Sequence, residues 1–215
     1  MAKKKAITKN YLISKYMETV LEEGSPKSVY SFSKKHQFSE AEFYNIYGNF
    51  EALEGDIFKT FLQNSIDLIE KSEEYVNFDT RNKLLTLYYT FFETLKANRS
   101  YIMASLGDKK NSLGAIKKLT SLRTVFKEFI KNLEWDLLDL KKDRLKEVQS
   151  KSLEEGAWIQ LLLTLKFWLD DQSPSFEKTD IFIEKSVNAT FDLLGVKPLQ
   201  SLLDLGKFLV KEKLQ

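Results

Sequence analysis

Cysteine is absent from the 215 residues, histidine occurs once, at His36, and glycine and proline are scarce, at eight and three. The first absence excludes thiolate zinc sites, iron–sulfur clusters and cysteine nucleophiles. A single imidazole excludes a multi-histidine metal site and makes any Ser-His-Asp triad depend on His36 alone. So few breakers beside abundant Leu, Lys, Glu, Phe and Ile predict an all-α chain with short turns. Long apolar runs are missing as well. The longest, Gly156–Leu165, falls far short of the roughly 20 residues that span a bilayer. Met1–Lys5 is followed by Ala6-Ile7-Thr8-Lys9-Asn10 rather than an apolar stretch, so no secretory signal is expected and the expected location is cytoplasmic. Nor is there an excess of one charge: 33 basic side chains face 31 acidic ones, and the net field neither demands nor forbids nucleic acid. Acidic pairs such as Asp170-Asp171 and Glu154-Glu155 have no base, glycine-rich loop or metal set beside them. No enzyme, metal or cofactor is expected, and His36 is read as a helix C-terminal cap.

The hydrophobic periodicity is helical from the start. Ile7, Tyr11, Leu12, Tyr16, Val20 and Leu21 fall on one stripe that stops at Gly24 in Glu23-Gly24-Ser25-Pro26. A second short helix fits Lys27 to His36, with Val29, Tyr30 and Phe32 as its buried candidates. A third begins at Ser39, where Glu42 three residues on completes a capping box. Three short helices in about 40 residues, with a tight turn before the third, have the layout of a helix-turn-helix. A long fourth helix follows from Asn49 to about Ser72. Further helices are expected over Thr80–Ala97, Leu113 to about Lys146, Leu153–Asp170, Pro174–Leu194 and from Pro198, with a broken stretch through Gly107. The predicted organisation is a three-helix domain over 1–48 joined by a continuous helix to a larger bundle over 49–215.

The segment Ser28–Leu53 resembles the TetR family of transcriptional regulators. Phe32-Ser33 stands for the apolar-small pair of the second helix and Phe38-Ser39 for the end of the turn. Phe43-Tyr44 with Tyr47 stands for the aromatic set of the third helix, and Glu51 and Leu53 for the acid and leucine that follow. The resemblance implies a dimer that binds double-stranded operator DNA and responds to a small apolar ligand or lipid held in the bundle. Three departures fall where that family touches DNA. Gln37 replaces the turn glycine, Phe50 replaces a phosphate-binding lysine, and Ser39–Asp56 holds Glu40, Glu42, Glu51, Glu54 and Asp56 but no Lys or Arg. Each missing phosphate contact removes roughly one unit of salt slope. Lys27, Lys34 and Lys35, the basic arm Lys3, Lys4, Lys5 and Lys9, and the neutral donors Tyr44, Asn45, Tyr47 and Asn49 are the remaining candidates for DNA contact, with Glu40 or Glu42 as acceptors from a cytosine amino group. Solvated helix faces for the lysines and core packing for Tyr44 and Tyr47 are the competing readings.

In Phe167–Leu194 the acidic-Ser-Pro turn Asp170–Pro174, Phe176 after it, and the later Phe182 and Val187-Asn188 make a second stretch that resembles TetR-fold accessory proteins of ubiquinone biosynthesis, which implies a lipid-binding or isoprenoid-binding protein with a degenerate helix-turn-helix as the alternative function. Tyr88, Phe91, Phe92, Met103, Phe126 and Trp158 are the ligand-lining candidates, with core packing as the alternative for each. The run Trp158–Leu169 is apolar nearly all round and so demands cover on more than one side. Leu161, Leu165, Trp168, Phe182, Val187 and Phe191 are therefore the candidate dimer interface, with a deep core position as the competing explanation. The basic amphipathic segment 198–215 is expected to dock on its own bundle, with membrane-surface contact as the alternative.

Overall fold

The computed structural model describes residues 7–107, 112–135 and 143–195. Among these the chain is all-α: α1 (Lys9–Glu23), α2 (Val29–Lys35), α3 (Glu40–Tyr44), α4 (Phe50–Ile69), α5 (Thr80–Ala97), α6 (Arg99–Leu106), α7 (Ser112–Lys118), α8 (Thr120–Asn132), α9 (Asp143–Asp170) and α10 (Glu177–Gly195). Short 3-10 turns stand at Tyr75–Asn77 and Pro174–Phe176. Lys3, Lys4, Lys5 and the segment 198–215 lie outside the described residues.

The chain divides into two compact units. The described residues of Met1–Leu68 and Phe91–Phe126 form the first, and those of Ile69–Thr90 and Lys127–Gln215 the second. This division differs from a boundary at 48/49: α1 to α3 share the first unit with most of α4, the end of α5, α6, α7 and the start of α8.

In the first unit the helix ends follow from local chemistry. Thr8 accepts from the Tyr11 N–H to open α1, and Gly24 closes it at φ +83°, in the left-handed region open to glycine, with its N–H on the Val20 carbonyl. Ser39 and Glu42 form the expected capping box, and Ser28 with Ser31 forms another at the start of α2. The core around these helices is aromatic. Phe32 meets Tyr16, Phe38, Phe43 and Phe50 edge-on at centroid distances of 5.5–6.3 Å, an arrangement worth about 0.5–1.5 kcal/mol per pair beyond area burial. Tyr30 is a correction: the α2 stripe buries Val29, Phe32 and Ser33, and Tyr30 is 60% exposed.

The expected single helix Leu113–Lys146 is also corrected. It breaks between Lys118 and Thr120, where the Thr120 hydroxyl donates to the Lys117 carbonyl at 2.8 Å and competes with the helical ladder. It ends at Asn132, where the Trp135 indole N–H takes the Ile130 carbonyl at 2.7 Å. The following helix starts at Asp143, ten residues before the expected Leu153.

The second unit is built on α9 and α10. Trp158, Leu161, Leu165 and Trp168 line the buried face of α9, and Ile183 and Val187 that of α10. Gln160 donates to the Ser186 hydroxyl and accepts from Thr190, tying the two helices. Their connection holds two residues in the left-handed region, Ser175 at φ +52° and Phe176 at φ +64°. Asp171, 6% exposed, accepts from the backbone N–H and hydroxyl of both Ser173 and Thr179 at 2.7–3.0 Å. Burial works against its ionisation, but these four bonds outweigh it and lower its pKa to about 2. The turn is thereby held against its backbone strain.

Candidate functional site

The surface that α2 and α3 present is defined by which side chains the core leaves over. On α3, Phe43 is fully buried, while Glu40, Ala41, Tyr44 and Asn45 face solvent. Glu42 is engaged in the capping box, its Oε2 accepting from the Ser39 N–H at 2.8 Å and the Ser39 hydroxyl at 2.9 Å. The Tyr44 ring is 52% exposed and stands perpendicular to that of Phe43, 5.6 Å away. Tyr47 points the other way: it is 6% exposed, and its hydroxyl donates to Asp56 of α4 at 2.6 Å. Burial and this bond both raise its pKa. Asn49 is exposed, and its carbonyl oxygen caps α4 by accepting from the Ala52 N–H at 2.8 Å. Thus the structure brings Tyr44 and Asn45 together on one exposed face and corrects Tyr47 to a core and bracing side chain.

Over residues 7–49 the lysines Lys9, Lys15, Lys27, Lys34 and Lys35 balance Glu18, Glu22, Glu23, Glu40 and Glu42. Lys9 pairs with Asp56, Lys15 with Glu18, and Lys35 with both Glu22 and Glu23. Lys27 and Lys34 remain exposed without an acidic partner among the described residues, and the Lys34 ammonium lies 5.9 Å from the Tyr30 ring centre. Exposed pairs such as Lys35–Glu22 are screened by solvent and yield readily to a phosphate. His36 caps α2, as expected. Its Nε2 lies 2.8 Å from the Thr19 hydroxyl, which is also 2.8 Å from the Lys15 carbonyl. Burial and then the neighbouring Lys35 and Lys15 lower its pKa.

Phe50 joins the aromatic core, 5.3 Å from Tyr16 and 5.4 Å from Phe43. A lysine there would place an ammonium among these rings. The acids of α4 have interior partners too. Glu54 accepts from the Tyr16 hydroxyl at 2.5 Å and pairs with Lys118 at 3.3 Å. Two of the five acids counted against DNA binding are thus engaged inside the unit, Glu54 here and Asp56 by Tyr47 and Lys9. Their partners are 38, 64, 9 and 47 residues away along the chain, beyond what local spacing reveals.

In the second unit the candidate interface is redistributed. Leu161, Leu165, Trp168 and Val187 are 0–7% exposed and belong to the core of the second unit. Phe191 is half-buried, stacked on Trp135 at 5.1 Å, with the Arg81 guanidinium 5.2 Å from its ring centre. Of the six, Phe182 lies on the outward face, stacked on Phe167 at 4.7 Å with the rings 10° from parallel. Beside it are Ile159, Leu163 and Ile181, each about half exposed. Leu163, Phe167 and Phe182 line a groove of about 920 Å³ edged by Lys166, Asp170, Glu177 and Lys178. The apolar run of α9 extends beyond the side that its own unit covers, and the structure separates the two faces.

The ligand candidates are divided. Tyr88 and Trp158 belong to the second unit, and Phe91, Phe92, Met103 and Phe126 to the first. Five of them are core side chains at 1–6% exposure, whereas Met103 is 40% exposed and is corrected to a surface position. Four grooves and clefts among the described residues are lined by other side chains.

No curated protein matches the chain. Residues 83–209 match the family model described as the tetracyclin repressor-like C-terminal domain. That match takes in more than half of the sequence, including the whole of α9 and α10 with their outward apolar face, and on this ground the chain belongs to the tetracyclin repressor-like family.

Proposed function

We propose that this protein is a ligand-responsive transcriptional regulator of the TetR type that binds operator DNA as a dimer. The observation that carries the reading is the exposed face of α3, the second helix of an α2-turn-α3 pair, projecting Ala41, Tyr44 and Asn45 from a rigid aromatic core. A helix so presented fits the major groove, with its leading side chains on base edges and the preceding helix across the backbone. Lys27 and Lys34 supply phosphate contacts and Lys35 a further one once released from Glu22 and Glu23. The six candidates Lys27, Lys34, Lys35, Tyr44, Asn45 and Asn49 divide accordingly, Tyr44 and Asn45 reading bases and the others positioning the backbone.

Dimerisation proceeds through the outward face of α9 and α10. Ile159, Leu163, Phe167, Ile181 and Phe182 form an apolar centre, and Lys166, Lys178 and Lys185 alternate around it with Asp170, Glu177 and Glu184. Such a mixed rim is self-complementary under a two-fold axis, as an isologous contact requires. A small apolar ligand taken up in the C-terminal domain acts by preferring one spacing of the two DNA-reading units over another.

The test is substitution of exposed positions. Tyr44→Ala and Lys34→Ala each weaken operator binding while thermal melting stays unchanged; unaltered binding in both variants removes this face from the DNA site.

A further inference from the structure

The chemistry of the α3 face says which bases it reads. Glu40, Ala41, Tyr44 and Asn45 share that face, and Ser39–Asp56 contains no Arg or Lys. In the major groove guanine is read chiefly by Arg or Lys on its O6 and N7 acceptors, and α3 has neither residue. What it offers instead is an Asn45 amide engaged by no hydrogen bond among the described residues, able to donate to N7 and accept from N6 of one adenine. It also offers two apolar surfaces, the Ala41 methyl and the Tyr44 ring, suited to the thymine C5-methyl. The ring is braced against fully buried Phe43, so little side-chain freedom is lost on contact. Glu40, in the first turn, is an acceptor for a cytosine amino group, since Glu42 is held by Ser39.

Resting on the reading of α3 as the DNA-reading helix, we infer that each operator half-site is A·T-rich beneath α3, with adenine read by Asn45, thymine methyl groups by Ala41 and Tyr44, and no guanine edge contacted. Discrimination then comes from methyl and amide contacts. Lys27 and Lys34 contribute the salt-dependent affinity common to all sequences.

The experiment is selection from a random duplex pool by the full chain, followed by fluorescence anisotropy on the selected duplex and on base-analogue versions of it. The expected result is an A·T-rich half-site. Replacing its thymines by deoxyuridine weakens binding several-fold for the unaltered protein and by a smaller factor for Tyr44→Ala, which keeps only the Ala41 contact. Asn45→Ala lowers affinity on the order of tenfold and relaxes the choice at one adenine. Substituting 7-deazaguanine changes nothing. Both replaced side chains are exposed, and unchanged circular dichroism melting confirms that the variants fold. A consensus that loses affinity with 7-deazaguanine, or one indifferent to deoxyuridine and to Asn45→Ala, overturns this assignment and leaves the regulator reading standing. Failure to enrich any sequence overturns both.

Discussion

The Tyr47 hydroxyl donates to the Asp56 carboxylate at 2.6 Å, and the same carboxylate receives the Lys9 ammonium at 2.8 Å. One acid of α4 thus fixes both the segment after α3 and the start of α1. Tyr47→Phe removes the donor and leaves the ring in place. Loss of a hydrogen bond to a charged acceptor costs about 1.5–3 kcal/mol, discounted here toward the lower end because Asp56 keeps Lys9 and some solvent access. The expected outcome is a lower midpoint in urea unfolding with an unchanged slope. DNA affinity falls only as far as the position of α3 loosens.

Gln37 occupies the left-handed region at φ +58°, the place where the resemblance led one to expect glycine. A side chain in this conformation costs about 1–2 kcal/mol, partly offset by the entropy that glycine loses on folding. Gln37→Gly therefore stabilises the chain by about 0.5–1 kcal/mol, read as a rise in melting temperature. A fall in melting temperature would mean that Gln37 makes a compensating contact.

At the α9–α10 turn, Asp171 holds Ser173 and Thr179 through four hydrogen bonds. Its folded pKa of about 2 lies below the ordinary 3.8. The unfolded chain therefore takes up the proton first, and the stabilisation, complete above about pH 4, is lost as pH falls toward 2. Asp171→Ala should cost about 2–3 kcal/mol at neutral pH by stranding these donors and should flatten the acid limb of the stability curve. Calorimetry of both proteins from pH 2 to 7 checks the two effects together.

For the proposed dimer, Leu163→Glu and Phe167→Glu place charge at the apolar centre of the α9–α10 face. Both positions are exposed in the protomer, so folding is retained while association fails. Light scattering after size exclusion should find the unaltered chain dimeric at micromolar concentration and both variants monomeric. A monomeric unaltered chain would refute the interface. Leu161→Glu, by contrast, strikes the core and should unfold the second unit.

The contrast between Leu161 and Leu163 shows how far the sequence could be read. Scarce breakers made the helices legible, and Thr80–Ala97 was bounded correctly by its apolar periodicity. Ser39 and Glu42 announced their capping box because its partners are three residues apart. The α9 run is apolar on every side, so periodicity could not separate the face its own unit buries from the face left outside. Tyr44 and Tyr47 are indistinguishable by type, and what sorts them is Asp56 on another helix, waiting for one hydroxyl. Likewise Glu54 and Asp56 counted as charges repelling DNA until Tyr16, Lys118, Tyr47 and Lys9 appeared beside them.

The most direct test of the regulator reading is fluorescence anisotropy of the full chain on the duplex upstream of its own gene, beside a scrambled duplex, through a salt titration. The account predicts preferential binding that persists near physiological ionic strength, with a shallow salt slope to which Lys27, Lys34 and Lys35 each contribute about one unit. Equal affinity for the two duplexes, or no binding at low salt, would contradict it and leave the lipid-binding alternative to be pursued.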